Sequence, residues 1–205
     1  MDRRELLKMI AVLTGGAVVG ADVFLTGCNS PSSKAGFSLT NDDIAFLNEV
    51  GEVIIPTTST AGAKVVNVGS FMKTIVTDCY KEKERQAFYE GISKLDEACK
   101  KMYHARFMNV RPEDRHELLL AIEKESKEHQ EKRSEHNKLE EEKTKADPNY
   151  KKQEMQTHYF IMMKQLTLWG YFSSEAGMKE NLIYSAAPGR YDACIPYKKG
   201  DKPMA

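Results

Sequence analysis

The sequence predicts an all-α protein: one helical domain with long irregular loops and an irregular C-terminal segment, preceded by a signal peptide. Apolar residues recur at helical spacing along several stretches, most cleanly at Phe88, Ile92, Leu95, Cys99 and Met102. Nothing alternates convincingly with the period of two that a half-buried strand shows. The periodic segments begin only after an N-terminal arginine pair, a short bland apolar run and a cysteine.

Arg3 and Arg4, followed by Leu6, Leu7 and Lys8, resemble a twin-arginine export signal, with Asp2 in place of the usual Ser or Thr. From Met9 to Gly27 the chain is weakly apolar, broken by Gly15, Gly16 and Gly20 and charged at Asp22. It is too short and too polar for a stable membrane span and reads as a signal h-region. Leu25-Thr26-Gly27-Cys28 resembles a bacterial lipobox, in which the cysteine is acylated and becomes the new N-terminus; the alternative is an ordinary N-terminal helix with a chance cysteine. Acyl chains on Cys28 would anchor the protein at about 0.8 kcal/mol per buried CH₂. Residues 1–27 are therefore expected to be signal peptide, 28–39 a Ser/Pro/Gly-rich tether, and 40–205 the folded domain, exported to the periplasm and held at the membrane by lipid.

The remaining length suits one domain with a real core. Lysine plus arginine balances aspartate plus glutamate at 30 each, so no overall field favours nucleic acid. Beyond Cys28 the cysteines are Cys79, Cys99 and Cys194, in a compartment where disulfides persist. Twenty residues of straight helix separate their ends by roughly 30 Å, against about 7 Å between the Cα atoms of a disulfide, which disfavours a Cys79–Cys99 pair. A bridge would join Cys194 to Cys99 or to Cys79; the alternative is three reduced, buried thiols.

Thr40 with Asp43 three residues on forms a capping-box variant that starts the first helix, and Asp42 and Asp43 suit its positive end. Ile44, Leu47, Gly51 and Ile54 share its face, and Pro56 ends it. Residues 56–69, PTTSTAGAKVVNVG, read as an ordered loop too long for a simple turn. Phe71, Ile75 and Cys79 mark a short helix, and the stripe from Phe88 to Met102 an amphipathic one. Pro112 then opens a helix whose apolar side is Leu118, Leu119 and Ile122. From Glu123 to Lys138 no aliphatic or aromatic residue occurs, which predicts a solvated helical extension or a disordered insert that ends at Asp147-Pro148-Asn149; a charged docking arm is the functional alternative. Met155, Tyr159, Met162, Leu166 and Trp169 repeat a spacing of four and three, widened nearly all round by Phe160, Ile161, Met163 and Leu168, so this helix is expected to be the central one.

The chain has no G-x-G-x-x-G after a strand, no P-loop, no C-x-x-C-H and no C-x-x-C metal pair. His129 and His136 could share a helix face, but no third ligand stands at a usable spacing. Ser173, Ser174 and Glu175 lie together without a nucleophile elbow. The twin-arginine route carries folded proteins, which usually hold a cofactor. An export signal on a domain without cofactor motifs is explained if the chain carries a cofactor-bearing partner across with it.

Three blocks, 46–72 (FLNEVGEVIIPTTSTAGAKVVNVGSFM), 166–184 (LTLWGYFSSEAGMKENLIY) and 188–197 (PGRYDACIPY), together with the arginine pair, resemble the small third subunit of gluconate 2-dehydrogenase and its relatives. The features matched are Ile54-Ile55-Pro56, Gly170-Tyr171-Phe172, Ser174-Glu175, Gly177, Pro188-Gly189-Arg190-Tyr191, Cys194 and Pro196. The resemblance implies a non-catalytic subunit, without a cofactor of its own, of a periplasmic, membrane-associated, FAD-dependent sugar or polyol dehydrogenase of the glucose-methanol-choline type. FAD and the chemistry would lie in a large partner subunit. Some relatives add a cytochrome c subunit, and this chain has no haem attachment motif. The lipobox departs from the family pattern.

Trp169, Tyr171, Phe172, Arg190 and Tyr191 are the candidate partner contacts, since aromatics and arginine are enriched where partners anchor. Each could equally be core, and for Trp169, on the repeating face, the core reading is the stronger. The competing functional reading is an export and assembly chaperone that leaves the mature enzyme.

Overall fold

Thr40 starts the first helix in the way its sequence requires. Its hydroxyl oxygen accepts from the Asp43 amide at 3.2 Å, while its own amide donates to the Asp43 carboxylate at 2.9 Å. A computed structural model describes residues 38–147, 149–187, 189 and 194–204. They form six α-helices, which we number α1 (Asn41–Ile54), α2 (Val68–Asp78), α3 (Glu82–Tyr103), α4 (Pro112–Ala146), α5 (Tyr159–Phe172) and α6 (Glu175–Asn181), with a 3₁₀ turn at Phe107–Asn109. The described residues contain no strand, only an isolated bridge between Ile183 and Met204. None of the helices is long and apolar enough to cross a membrane.

The central helix is α5, which touches every other α-helix. Its Phe160, Met162, Met163, Leu166 and Tyr171 are buried, against Leu47 and Val50 of α1, Met72 and Val76 of α2, Phe88 and Leu95 of α3, and Leu118 and Ile122 of α4 in one continuous core. A core of this size buries several tens of side-chain methylenes, each worth about 0.8 kcal/mol. Polar side chains pin the framework at its edges. Arg115 of α4 ion-pairs with Glu49 of α1, donates to the Phe107 and Met108 carbonyls at 3.0 and 2.8 Å, and lies over the Phe107 ring.

Three expected stripes shift. In α1 the buried residues are Phe46, Leu47, Val50 and Gly51, while Ile44 and Ile54 are only half-buried. In α2 the buried ridge is Val68, Met72 and Val76, not Phe71, Ile75 and Cys79; the helix has apolar residues on two adjacent ridges, and the one facing Gly51 and α5 goes inward. The α5 stripe expected from Met155 begins only at Tyr159, because residues 151–158 are not helical and His158 caps the helix. Its deepest face is Met163, Thr167 and Tyr171, which turns Trp169 outward, 56% exposed, where a core position was expected.

The charged segment is helical and continues α4 to Ala146, but it is not wholly solvated. Residues 149–158 return along it as a strap. Glu140, 2% exposed, accepts from the Gln153 amide at 2.8 Å, the Tyr150 hydroxyl at 2.9 Å and Lys143 at 2.8 Å. Arg133 donates to the Met155 carbonyl at 2.9 Å, and His136 Nε2 lies 2.8 Å from the Gln153 carbonyl. A polar helix face thus acquires its partner from backbone groups, a form of packing that apolar periodicity does not register.

Candidate partner interface

The two sequence blocks 46–72 and 166–184 meet in space around the loop between α1 and α2. Glu52, on the last turn of α1, accepts from the Thr57 amide at 2.7 Å and the Lys64 amide at 3.2 Å. Burial pushes the Glu52 carboxyl up, but the hydrogen bonds from Thr57 and Lys64 and the Lys64 charge outweigh it and hold the group below the usual carboxylate range. From the other side, Glu180 of α6 accepts from the Ala61 amide at 2.7 Å, and the Tyr171 hydroxyl donates to the Ala61 carbonyl at 2.7 Å. The loop is therefore fixed at both edges, with its own Ala63 fully buried.

Tyr171 is held there by a tight corner. Ser174 caps α6 by accepting from the Gly177 amide at 3.1 Å while its hydroxyl donates to the Tyr171 carbonyl at 2.6 Å. A Cβ on Gly177 would collide with that same carbonyl. The corner forces neighbouring side chains of α5 to opposite sides: Tyr171 points in, while Leu168, Trp169 and Phe172 stand out, 40%, 56% and 40% exposed. Gly170 lets α2 approach, since a Cβ there would lie 2.7 Å from the Phe71 ring. Phe71 in turn meets Trp169 edge-on, with centroids 5.3 Å apart. The result is an exposed apolar face, Leu168, Trp169 and Phe172, backed by the half-buried Phe71.

Tyr171 was expected as a partner contact and is instead core, 2% exposed, because its hydroxyl is needed to tie down the loop. Trp169 and Phe172 are on the surface and adjacent. Arg190 and Tyr191 lie outside the described residues, as do Arg3, Arg4 and Cys28. The Cys99–Cys194 bridge is not formed: Cys99 is buried in the α3 core ridge, Cys194 is exposed in the C-terminal segment, and both are free, as is Cys79. Three buried thiols are not observed either, since Cys79 is also exposed. Phe71 and the Glu52 and Glu180 clamps were not anticipated. Nothing in periodicity marks a residue whose role is to hold a loop backbone 119 positions away.

Among the described residues, no three His, Cys, Asp or Glu side chains cluster in a way that could hold a metal ion. The described residues form an all-helical bundle whose candidate functional region is the exposed surface of Leu168, Trp169 and Phe172. The chain belongs to the gluconate 2-dehydrogenase subunit 3 family, whose model matches residues 41–189. Neither the curated proteins nor the solved structures give a significant match. The family is that of a subunit of a dehydrogenase complex, which implies partner subunits, and its match covers both blocks that build the aromatic face.

Proposed function

We propose that this protein is the non-catalytic small subunit of a periplasmic, membrane-associated, FAD-dependent sugar or polyol dehydrogenase of the glucose-methanol-choline type, such as gluconate 2-dehydrogenase. It stabilises the large flavoprotein subunit and carries it across the membrane by the twin-arginine signal at Arg3 and Arg4, with Cys28 as the lipid anchor. The observation that carries the reading is the coincidence of the family match with an exposed aromatic face on a rigid frame, Trp169 and Phe172 side by side on α5. Aromatic side chains offer a large apolar contact at small entropic cost, and interface energy concentrates on such anchors. FAD and the reacting sugar belong to the large subunit, and a cytochrome c subunit is a further candidate partner as electron acceptor.

Gentle detergent extraction of the tagged full chain tests the reading. A flavin-containing large subunit should co-purify in stoichiometric amount, and replacing Arg3 and Arg4 by lysine should leave both chains in the cytoplasm. Recovery without a flavoprotein would end the proposal, and substoichiometric recovery from the active complex would replace it with a chaperone role.

A further inference from the structure

After α6 the chain leaves the core, and its last residues return beside the end of that helix. The Ile183 amide donates to the Pro203 carbonyl at 2.8 Å, in the isolated parallel bridge between Ile183 and Met204. A tight turn directs the return. The Lys198 amide donates to the Asp201 carboxylate at 2.8 Å and the Asp201 amide to the Lys198 carbonyl at 3.0 Å, while Gly200 takes a φ of +101° that favours glycine. α6 is itself fixed to the body, through Asn181 on the Tyr171 hydroxyl and Glu180 on the Ala61 amide.

The side chains this segment presents are apolar and cationic together. Ile183, Tyr184, Ile195, Tyr197 and Met204 are 47–73% exposed, more than folding of the chain alone explains for so short a stretch. Lys198, Lys199 and Lys202 stand exposed among them, and the one acid of residues 194–204 is Asp201, whose carboxylate holds the turn. The acids of α6 are engaged as well, Glu175 by Lys179 and Glu180 by the Ala61 amide. In a chain of 30 bases and 30 acids this is a local positive excess. Its composition discriminates between partners. Protein interfaces enrich arginine and are poor in lysine. Tyrosine, aliphatic side chains and lysine suit the boundary of a bilayer, where the apolar bodies dip below the headgroups and each ammonium, on its long stem, stays among the phosphates. Backbone without strand partners is tolerated at that depth, because water still reaches it.

We propose that residues 183–184 and 194–204 form a membrane-facing surface whose partner is an anionic lipid bilayer. Tyr184, Ile195, Tyr197 and Met204 enter the headgroup layer, and Lys198, Lys199 and Lys202 bind its phosphates. The inference deepens the proposed membrane association and rests on that location, not on acylation of Cys28. It supplies a second contact with the bilayer, and stable attachment takes two such signals where a single lipid chain holds only marginally.

Cys194 lies inside the segment, exposed and free, and carries the probe. In the full chain with Cys28→Ser and Cys79→Ser, the other remaining cysteine is the buried Cys99, so an environment-sensitive fluorophore on Cys194 reports on this segment and not on residues 1–27. Its emission should shift to the blue with vesicles of phosphatidylcholine and phosphatidylglycerol and stay unchanged with phosphatidylcholine alone. Salt at about 1 M should reverse the shift. Lys198→Gln, Lys199→Gln and Lys202→Gln together should raise the lipid concentration for half-maximal shift roughly tenfold or more. Ile195→Ser with Tyr197→Ser should abolish the shift and leave the circular dichroism native, since both side chains are exposed. No shift on anionic vesicles, or the same shift on neutral ones, would overturn the proposal. If the labelled chain still sediments with the vesicles in that case, the failure belongs to this segment and the membrane association stands. A shift produced only by the flavoprotein subunit would assign the segment to a protein partner and overturn the proposal as well.

Discussion

The phenol of Tyr171 joins segments far apart in the sequence, donating to the Ala61 carbonyl at 2.7 Å and accepting from the Asn181 side chain at 2.8 Å. One hydroxyl thereby joins the α1–α2 loop, the central helix and α6. The ring is also core, packed with centroids 5.2 Å from Phe172. Its two functions, volume and hydrogen bonding, are separable by substitution.

Tyr171→Phe keeps the volume and leaves the Ala61 carbonyl without its donor. The expected cost is about 0.5–1.5 kcal/mol, that of one hydrogen bond at a part-buried carbonyl, and Tyr171→Ala should cost about 3–5 kcal/mol because a cavity is added. Chemical denaturation measures both. In Tyr171→Phe, limited proteolysis should cut within residues 56–67 well before the helices, since the loop loses one of its clamps.

Helix positions were legible in the sequence wherever a local device or a single apolar ridge set them. Thr40 and Asp43 and Pro112 are observed as read, and so is the ridge Phe88, Leu95, Cys99 and Met102, with Ile92 of the same reading only half-buried. Reading failed where two ridges competed, as in α2, or where the apolar residues nearly encircled the helix, as in α5. There the pattern shows that a helix is buried and not which sector faces water, so Trp169 and Tyr171 exchanged their expected sides. The strap was illegible for a different reason. Its hydrogen bonds run between charged side chains and backbone, and Glu140 carries no sequence mark that separates it from the exposed glutamates beside it.

Glu140 gives the strap a pH response of its own. The hydrogen bond from Lys143, then those from the Gln153 amide and the Tyr150 hydroxyl, hold its carboxyl at about 2, against an ordinary 4.5. The folded state therefore binds its proton more weakly than the unfolded chain. Its stabilisation is fully present above pH 4.5 and is lost as pH falls toward 2. Glu140→Gln should remove this acid-dependent part of the stability curve and speed proteolysis of residues 149–157, while the circular dichroism of the helices stays near native. A stability curve in strong acid indistinguishable from that of the native protein would contradict the assignment.

The cysteines should divide by reactivity. Cys79 and Cys194 are exposed, whereas burial, with a smaller contribution from Asp96, pushes the Cys99 thiol up to about 11. The thiolate is the reactive species, so Cys99 should resist an aromatic disulfide reagent at neutral pH until the protein unfolds. Titration of Cys28→Ser, which removes the remaining thiol, should show two fast groups and one that appears only in denaturant. Reaction of a single thiol under denaturing, non-reducing conditions would instead reveal a bridge.

Trp169 separates folding from assembly. It is half-exposed and leans on Phe71 from one side, so Trp169→Ala should change the stability of the isolated chain by no more than about 1 kcal/mol. As an interface anchor the same truncation should weaken association with the flavoprotein subunit by about 2 kcal/mol or more, roughly 30-fold in Kd. Leu120 of α4 is 53% exposed and lines a groove with Val53, His116 and Phe160 that includes neither Trp169 nor Phe172, so Leu120→Ala should alter neither quantity. Surface-immobilised partner and purified variants, compared by biosensor and by thermal melting, measure the two effects separately. Loss of binding in Leu120→Ala with none in Trp169→Ala would place the interface elsewhere on the bundle, and a large drop in melting temperature for Trp169→Ala would make that residue structural.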